Sequence, residues 1–366
     1  MCPARRQSLA RERQLLERVT SRNEGFVAKP SPTGLWPSGF VVRIVSISSS
    51  SVCLAYLFVV GPLRAEPSKL PPEVGYDYSE LETARTAALG GALRAFSNSL
   101  EALQNNPANL AATRVYHLGG LAQFWSAASR QSYGVGIVDS VVSRSRLAGG
   151  VSANWLFQDP DGVNRKDMDL RFGLGFPLSD KLLVGASVRY LDLSENGYPR
   201  GLNVVPPSLA SSGLDRDKVV KDITVDAGLT IRPVENLAFS VVGNNLTEPG
   251  HGYLPLMFGG GVGYGTDLFT IESDLVADFT TYDRTTLRGM GGLEVLAGGQ
   301  YPIRIGYRYD DGQHSNAISG GLGYLSKEFS FDFAIRRVLG NAATTAFFFS
   351  LRYHVEGLGI VSDQQQ

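Results

Sequence analysis

The stretch Tyr301-Pro302-Ile303-Arg304-Ile305-Gly306-Tyr307-Arg308-Tyr309-Asp310 decides the fold. Tyrosine or isoleucine occupies every odd position, and Arg304, Gly306, Arg308 and Asp310 fall between them. Successive side chains of a β-strand point to opposite faces, so this segment reads as a strand with one apolar and one charged face. The pattern returns along the chain. Phe329, Phe331, Phe333 and Ile335 alternate with Ser330, Asp332, Ala334 and Arg336. Phe347, Phe349, Leu351, Tyr353 and Val355 alternate with Phe348, Ser350, Arg352 and His354. Ile223, Val225, Ala227, Leu229 and Ile231 likewise oppose Asp222, Thr224, Asp226, Gly228 and Thr230. A soluble sandwich would turn the charged face to water. A barrel in lipid turns the apolar face outward and the charged face into its lumen.

Strand length and turn spacing favour lipid. Working outward from Tyr301, fourteen such stretches are legible, near 114–125, 131–140, 146–157, 167–177, 181–193, 219–232, 236–246, 254–265, 268–280, 284–297, 301–310, 315–326, 328–339 and 344–355. Most run 10–13 residues. Strands of globular proteins average about five or six, and a tilted membrane-crossing strand needs roughly 9–11. With the first strand running outward, several even-numbered connections are tight: Leu178-Ser179-Asp180, Pro233-Val234-Glu235, Thr266-Asp267 and Ser326-Lys327. The longest connection, roughly 194–218, is odd-numbered. Short turns inside and longer loops outside are the habit of bacterial barrels. An open edge in hydrocarbon would leave backbone groups unpaired at several kcal/mol each, so the strands are expected to close on themselves. Tyr301, Tyr309, Tyr324 and Tyr353 at strand ends suit an aromatic girdle, and the 42 glycines fit a crowded, curved sheet. The fold class is therefore all-β, a 14-stranded antiparallel transmembrane β-barrel with a short N-terminal helical, plug-like segment. That segment is the Ala- and Leu-rich run over 82–105, which ends before Asn106-Pro107-Ala108.

The chain divides into four parts. Residues 1–65 read as an N-terminal extension and signal peptide: Arg43 precedes an apolar run over 44–60, and Gly61-Pro62-Leu63-Arg64-Ala65 follows it. Cleavage is expected after Ala65. A lone anchor helix is the alternative, and Val41 or Val42 is an alternative start. Residues 66–112 are a polar lead and the plug-like segment, 113–355 the barrel, and 356–366 a polar tail. Both cysteines, Cys2 and Cys53, lie in the removed part, which leaves the mature chain without disulfide or thiolate chemistry. Ser50-Ser51-Val52 makes a poor lipoprotein signal before Cys53. Removing nine of 34 basic and three of 35 acidic residues shifts the net charge from −1 to −7. Such a chain lacks the basic footprint of a nucleic-acid binder.

The lumen-facing charges include Arg171, Arg189, Asp226, Glu272, Asp274, Asp278, Arg288, Glu294, Arg304, Arg308, Asp332, Arg336 and Arg352. Two readings stay open. One is a polar conduit or ligand path, with Arg304, Arg308, Glu272 and Asp274 as candidates. The other is an ion-pair network filling a narrow lumen, with the acids of strand nine facing the arginines of strands ten and eleven. Nothing points to catalysis, a cofactor or a metal. His117, His251, His314 and His354 lack metal-ligand spacing. Ser350 and His354 stand about 13 Å apart on an extended strand. Gly259-Gly260-Gly261-Val262-Gly263 lies inside a strand with no helix following, so it fails as a nucleotide loop.

Gly90-Gly91-Ala92, Ala95, Ala102 and Asn106-Pro107-Ala108-Asn109-Leu110-Ala111 resemble the N-terminal segment of FadL-type outer-membrane transporters of hydrophobic compounds. They resemble the related PorV/PorQ-type barrels equally. Asn244-Asn245-Leu246, and Ile305-Gly306-Tyr307-Arg308 ahead of Ile318-Ser319-Gly320-Gly321-Leu322-Gly323, are similar to the PorV side. The likeness spans about 82–355. It implies a place in the outer membrane of a Gram-negative bacterium, in contact with its lipids. It also implies that residues 82–112 form a plug in or beneath the barrel, with Asn106, Pro107 and Ala108 in the plug or ligand path; read from the residues alone, Asn106-Pro107 can equally be a helix C-terminus leading into strand one. The implied function is transport of hydrophobic compounds; the alternative is a non-transporting barrel that scaffolds or shuttles exported surface proteins. Departures are visible. Ser97-Asn98-Ser99 replaces an acidic pair often found after Gly-Gly-Ala, and only one loop is long. The 301 residues left after removing 65 of 366 are few for a fatty-acid transporter. The polar tail moves the expected assembly signal inward, to 347–355. A transporter calls for an apolar pocket beneath 194–218, a scaffold for a tightly filled lumen.

Overall fold

A computed structural model of the chain describes residues 81–125, 130–141, 146–158, 164–196, 217–247, 254–282, 284–339 and 344–355. The expected signal peptide, residues 66–80 of the lead, most of the 194–218 loop and the tail at 356–366 lie outside these residues. Fourteen antiparallel strands form one closed barrel. They are β1 (Tyr116–Trp125), β2 (Arg130–Asp139), β3 (Ala148–Gln158), β4 (Asn164–Ser179), β5 (Leu182–Asn196), β6 (Asp217–Val234) and β7 (Leu237–Asn244). There follow β8 (Met257–Gly265), β9 (Phe269–Asp278), β10 (Thr286–Ala297), β11 (Tyr301–Asp310), β12 (Ser315–Leu325), β13 (Phe329–Leu339) and β14 (Thr345–His354). Each strand pairs with its neighbours in sequence, and β1 pairs with β14 from His117↔His354 to Trp125↔Ala346.

Every strand read from the alternation is present. β4, β5 and β6 run to 16, 15 and 18 residues, longer than expected. One reason is Pro177, read from sequence as a strand end. The β4–β5 register instead slips between Pro177 and Ser179, a bulge that tolerates a proline lacking a donor.

The faces are inverted relative to a soluble protein. On β11, Ile305 is 63 % exposed while Arg304 is 7 % and Asp310 2 %. Exposed Ile, Leu, Phe and Tyr recur around the barrel, whereas Arg189, Asp226, Glu272, Asp274 and Arg336 are buried. An apolar girdle this large is unstable in water and suits hydrocarbon.

The buried face does not enclose an open pore. Residues 81–112 lie inside, buried almost throughout. They form helix α1 (Ala84–Ala88), helix α2 (Ser99–Asn105) and a 3-10 turn (Pro107–Ala111). Thr83 caps α1 by accepting from Thr86 N, and Gly90 and Gly91, at φ +71° and +93°, end it. The alanines of α1 let it lie close to the wall: Ala84, Ala87 and Ala88 pack on Ala334, Ala346 and Phe348. The closed ladder predicts heat-modifiable migration. Unboiled protein should run ahead of boiled protein in SDS gels, and identical mobilities would refute the closed barrel.

Candidate functional site

The contact between the luminal segment and the barrel wall gathers most of the buried polar chemistry. Alternation on β9 turns Glu272 and Asp274 inward, two residues and roughly 7 Å apart. Opposite them runs the irregular backbone of residues 93–96. Asp274 Oδ2 accepts from Leu93 N (3.0 Å), Arg94 N (3.1 Å) and Arg94 Nη1 (3.1 Å). Glu272 accepts from Ala95 N (2.5 Å) and Phe96 N (3.1 Å). Two carboxylates thus satisfy four successive amides that belong to no helix or strand. A buried amide left without a partner costs about 1–3 kcal/mol, so the pair holds this backbone in place. The glycine run on β8 has its use here, since side chains at Gly259 and Gly263 would collide with Arg94 and Phe96.

Asn106-Pro107-Ala108 makes the second attachment. Asn106 Nδ2 donates to Arg94 O and Thr230 Oγ1, both at 2.8 Å. Asn106 Oδ1 accepts from Ala108 N (3.1 Å) and caps the 3-10 turn that Pro107 opens. Ala108 is fully buried, and a side chain at Gly185 on β5 would overlap the Pro107–Ala108 peptide. Asn109 Nδ2 reaches back to Arg94 O (2.9 Å) and Ser97 Oγ (3.0 Å).

Ion pairs make the third. Glu82 meets Arg336 (2.6 Å) and Arg308 (3.6 Å). Arg85 bonds Glu294 twice, at 3.0 and 2.9 Å. Arg304 bridges Glu294 (2.5 Å) and Asp332 (2.6 Å), and Arg352 holds Glu101 (2.6 Å). Burial alone would raise Glu82, but Arg336 and Arg308 outweigh it and hold its carboxyl below the usual 4.5. In Arg85 burial opposes the charge, and Glu294 more than restores it. Between these charges the two backbones touch directly. Gly90 lies against the Tyr307 peptide, and neither Gly90 nor Gly306 has room for a side chain.

All the candidate residues read from sequence gather at this contact. Asn106, Pro107 and Ala108 belong to the luminal segment, Glu272 and Asp274 grip its backbone, Arg308 reaches Glu82, and Arg304 reaches Arg85 through Glu294. One expectation is corrected. Glu272 and Asp274 do not pair with the arginines of β10 and β11; backbone amides and Arg94 of the luminal segment take them. Arg288 pairs instead with Asp310 (3.0 Å). Glu82, Arg85, Arg94 and Glu101 carry no mark in the sequence reading, and Asn109 appears there only within Asn106-Pro107-Ala108-Asn109-Leu110-Ala111. Their signal was charge and amide groups in a run otherwise built of Ala and Leu. Asn245 takes a left-handed turn (φ +56°) and donates to Asp226 and Pro255 O.

Two of the histidines, far apart in sequence, meet in space. His117 and His354 stack across the β1–β14 seam with ring centroids 4.5 Å apart, and His117 Nδ1 shares a hydrogen bond with Ser99 Oγ. His314 sits in the β11–β12 turn, and His251 lies outside the described residues. Ser350 Oγ accepts from Ala84 N, away from His354. No cluster of three or more potential metal ligands occurs among the described residues. Two luminal voids flank the segment. One of about 40 Å³ lies among Glu82, Arg94, Arg171 and Met290. The other, of about 280 Å³, opens at the short-turn end beside Arg85, Glu294, Arg304 and Arg352.

No protein-family model and no curated protein sequence matches the chain. Among solved structures, the fold is similar to that of the CymD monoaromatic hydrocarbon channel, with TM-score 0.59 and 16 % identity over 74 % of this chain and 96 % of that one. It is similar to the Pseudomonas putida toluene transporter TodX, with TM-score 0.53 and 15 % identity over 75 % and 98 %. It is also similar to a Pseudomonas aeruginosa FadL homologue, with TM-score 0.50 and 15 % identity over 75 % and 98 %. At such identities the likeness is one of fold.

Two expectations follow from these contacts. Replacing Glu272 and Asp274 with alanine should strand the amides of 93–96 at a cost of about 2 kcal/mol or more. Their hydrogen exchange should then accelerate at least about 30-fold while the β8–β9 ladder stays protected; unchanged exchange would remove the carboxylates from this role. Because docking lowers the Glu82 pKa, its contribution is complete above pH 4.5 and fades as pH falls through the lower docked value. Planar-bilayer recordings should therefore show openings that become more frequent in acid. Glu82→Gln should show them already at neutral pH.

Proposed function

We propose that the chain is an outer-membrane channel of a Gram-negative bacterium that admits hydrophobic small molecules, with residues 81–112 as a displaceable stopper. The observation that carries this reading is a closed fourteen-strand barrel whose lumen is occupied by an internal segment held through polar contacts. The outward apolar girdle supports a bilayer location, with outer-membrane lipids as neighbours. The fold shared with hydrocarbon channels supports the cargo class. At rest, residues 81–112 fill the lumen beside voids of only about 40 and 280 Å³, so passage requires the stopper to shift.

A second reading is a non-conducting barrel that scaffolds or shuttles exported surface proteins. The filled lumen favours it, since residues 81–112 lie inside the barrel and are buried almost throughout. A deletion strain separates the two. Uptake of toluene or a similar monoaromatic should fall and return with the wild-type chain, while display of surface proteins stays constant. Normal uptake with lost export would overturn the transport reading and assign the scaffold role.

A further inference from the structure

The outward face of β9–β13 carries a furrow that takes no part in holding the luminal segment. Its volume is about 750 Å³, and Ile271, Leu293, Ile305, Ile318 and Ile335 wall it. Its floor is glycine, Gly291 on β10 and Gly320 on β12. These two differ from the inward glycines. A side chain at Gly306 would collide with the backbone of Leu89 and Gly90, so glycine is imposed there from within. A Cβ at Gly291 would find its nearest atom, Glu272 O, at 3.9 Å, and one at Gly320 would find Arg304 O at 3.8 Å. Both are ordinary contacts. Packing inside the protein demands glycine at neither position, and the missing side chains are what open the furrow.

Besides the small Ser273 and the Tyr307 hydroxyl, one charged wall residue breaks the apolar pattern. The register Gly291↔Tyr307↔Ile318↔Arg337 crosses the furrow and ends on an arginine. Arg337 is outward-facing and exposed, two residues beyond Ile335, near the end of β13 that leads to the connection at 340–344. Its Nη1 donates to Thr345 Oγ1 at 2.6 Å, which engages one of the five donors of a guanidinium. A lipid-facing Arg costs about 2–4 kcal/mol at the bilayer midplane and about 0–1 kcal/mol near the interface. Tyr307 Oη, which donates to Asn316 at 2.5 Å, adds a polar group two strands away on the same register row. The charge therefore belongs at headgroup depth, directly above an apolar slot.

We propose that this furrow is a binding site for an anionic, phosphate-bearing membrane lipid, with an acyl chain along Gly291 and Gly320 and the headgroup phosphate on Arg337. The chemistry matches at both ends: a planar guanidinium fork binds phosphate through paired hydrogen bonds, and apart from the Ser273 hydroxyl the slot offers hydrocarbon and bare backbone to the chain. The site lies on the outer wall, so it concerns a resident lipid and does not depend on which solute crosses the lumen.

Native mass spectrometry of the detergent-purified full chain, titrated with phosphatidylglycerol or with diacylglycerol of the same chains, tests it. Wild type should retain phosphatidylglycerol more strongly than diacylglycerol. Arg337→Gln should weaken phosphatidylglycerol about five-fold, the loss expected for one basic residue at an anionic lipid surface, and leave diacylglycerol unchanged. Gly320→Leu, which fills open space, should weaken both lipids, and Gly291→Leu should repeat that result. Heat-modifiable migration of each variant checks that the barrel is intact. Undiminished phosphatidylglycerol in Arg337→Gln, or undiminished binding of both lipids in the two leucine variants, would overturn the site. A changed oligomer mass with unchanged lipid would give the furrow to a second copy of the chain and overturn it equally.

Discussion

Inside a bilayer no water is present to bond a stray backbone N–H or C=O, and the rest of the structure depends on that constraint. A strand in hydrocarbon must be paired on both edges. Among these strands the demand is met only because β14 returns to β1, with His117 opposite His354 and Trp125 opposite Ala346. Closure then sorts the side chains. One face of every strand meets lipid and the other meets the lumen, so residues of opposite character must alternate. The Tyr/Ile and Arg/Asp alternation of β11 is the clearest instance.

The same constraint acts a second time within the lumen. The segment at 81–112 is too irregular to satisfy its own backbone, and it fills space that water would otherwise occupy. Carboxylates of β9 take the amides of 93–96, and Asn106 and Asn109 take the Arg94 carbonyl. The ion pairs around it are weaker grounds for stability, because taking charges out of water costs about as much as their attraction returns. Their plainer consequence is registration: Glu82, Arg85 and Glu101 each find an arginine or a carboxylate at one place on the wall. Polar contacts of this kind hold a segment in one position, which is what the proposed stopper role asks of it at rest.

Much of the fold was legible in sequence because alternation is a local property. Ile303, Arg304 and Ile305 declare their faces without reference to any other part of the chain, and turns such as Thr266-Asp267 declare the strand ends. The seven candidate residues were legible as well, though their partners were not. Glu272 and Asp274 looked like counter-ions for the arginines of β10 and β11. What they meet depends on strand tilt and on what enters the lumen, and neither is written in residue spacing. The glycines show the same limit. Alternation puts Gly306 on the charged face with Arg304 and Arg308 and Gly320 on the apolar face with Ile318 and Leu322, yet only the structure shows that Gly306 lies against the Gly90 backbone while Gly320 has open space before it.

The sequence by itself determined the strand number, the order of the strands, the two faces and the polar character of the interior. These follow from period-two patterning and from the penalty for unpaired backbone in lipid. Only the tertiary structure decided that the interior is occupied, that the β9 carboxylates hold backbone amides, and that outward glycines open a furrow beneath Arg337. Each of these is a meeting of residues from distant parts of the chain, made when the sheet closes around the segment that precedes it.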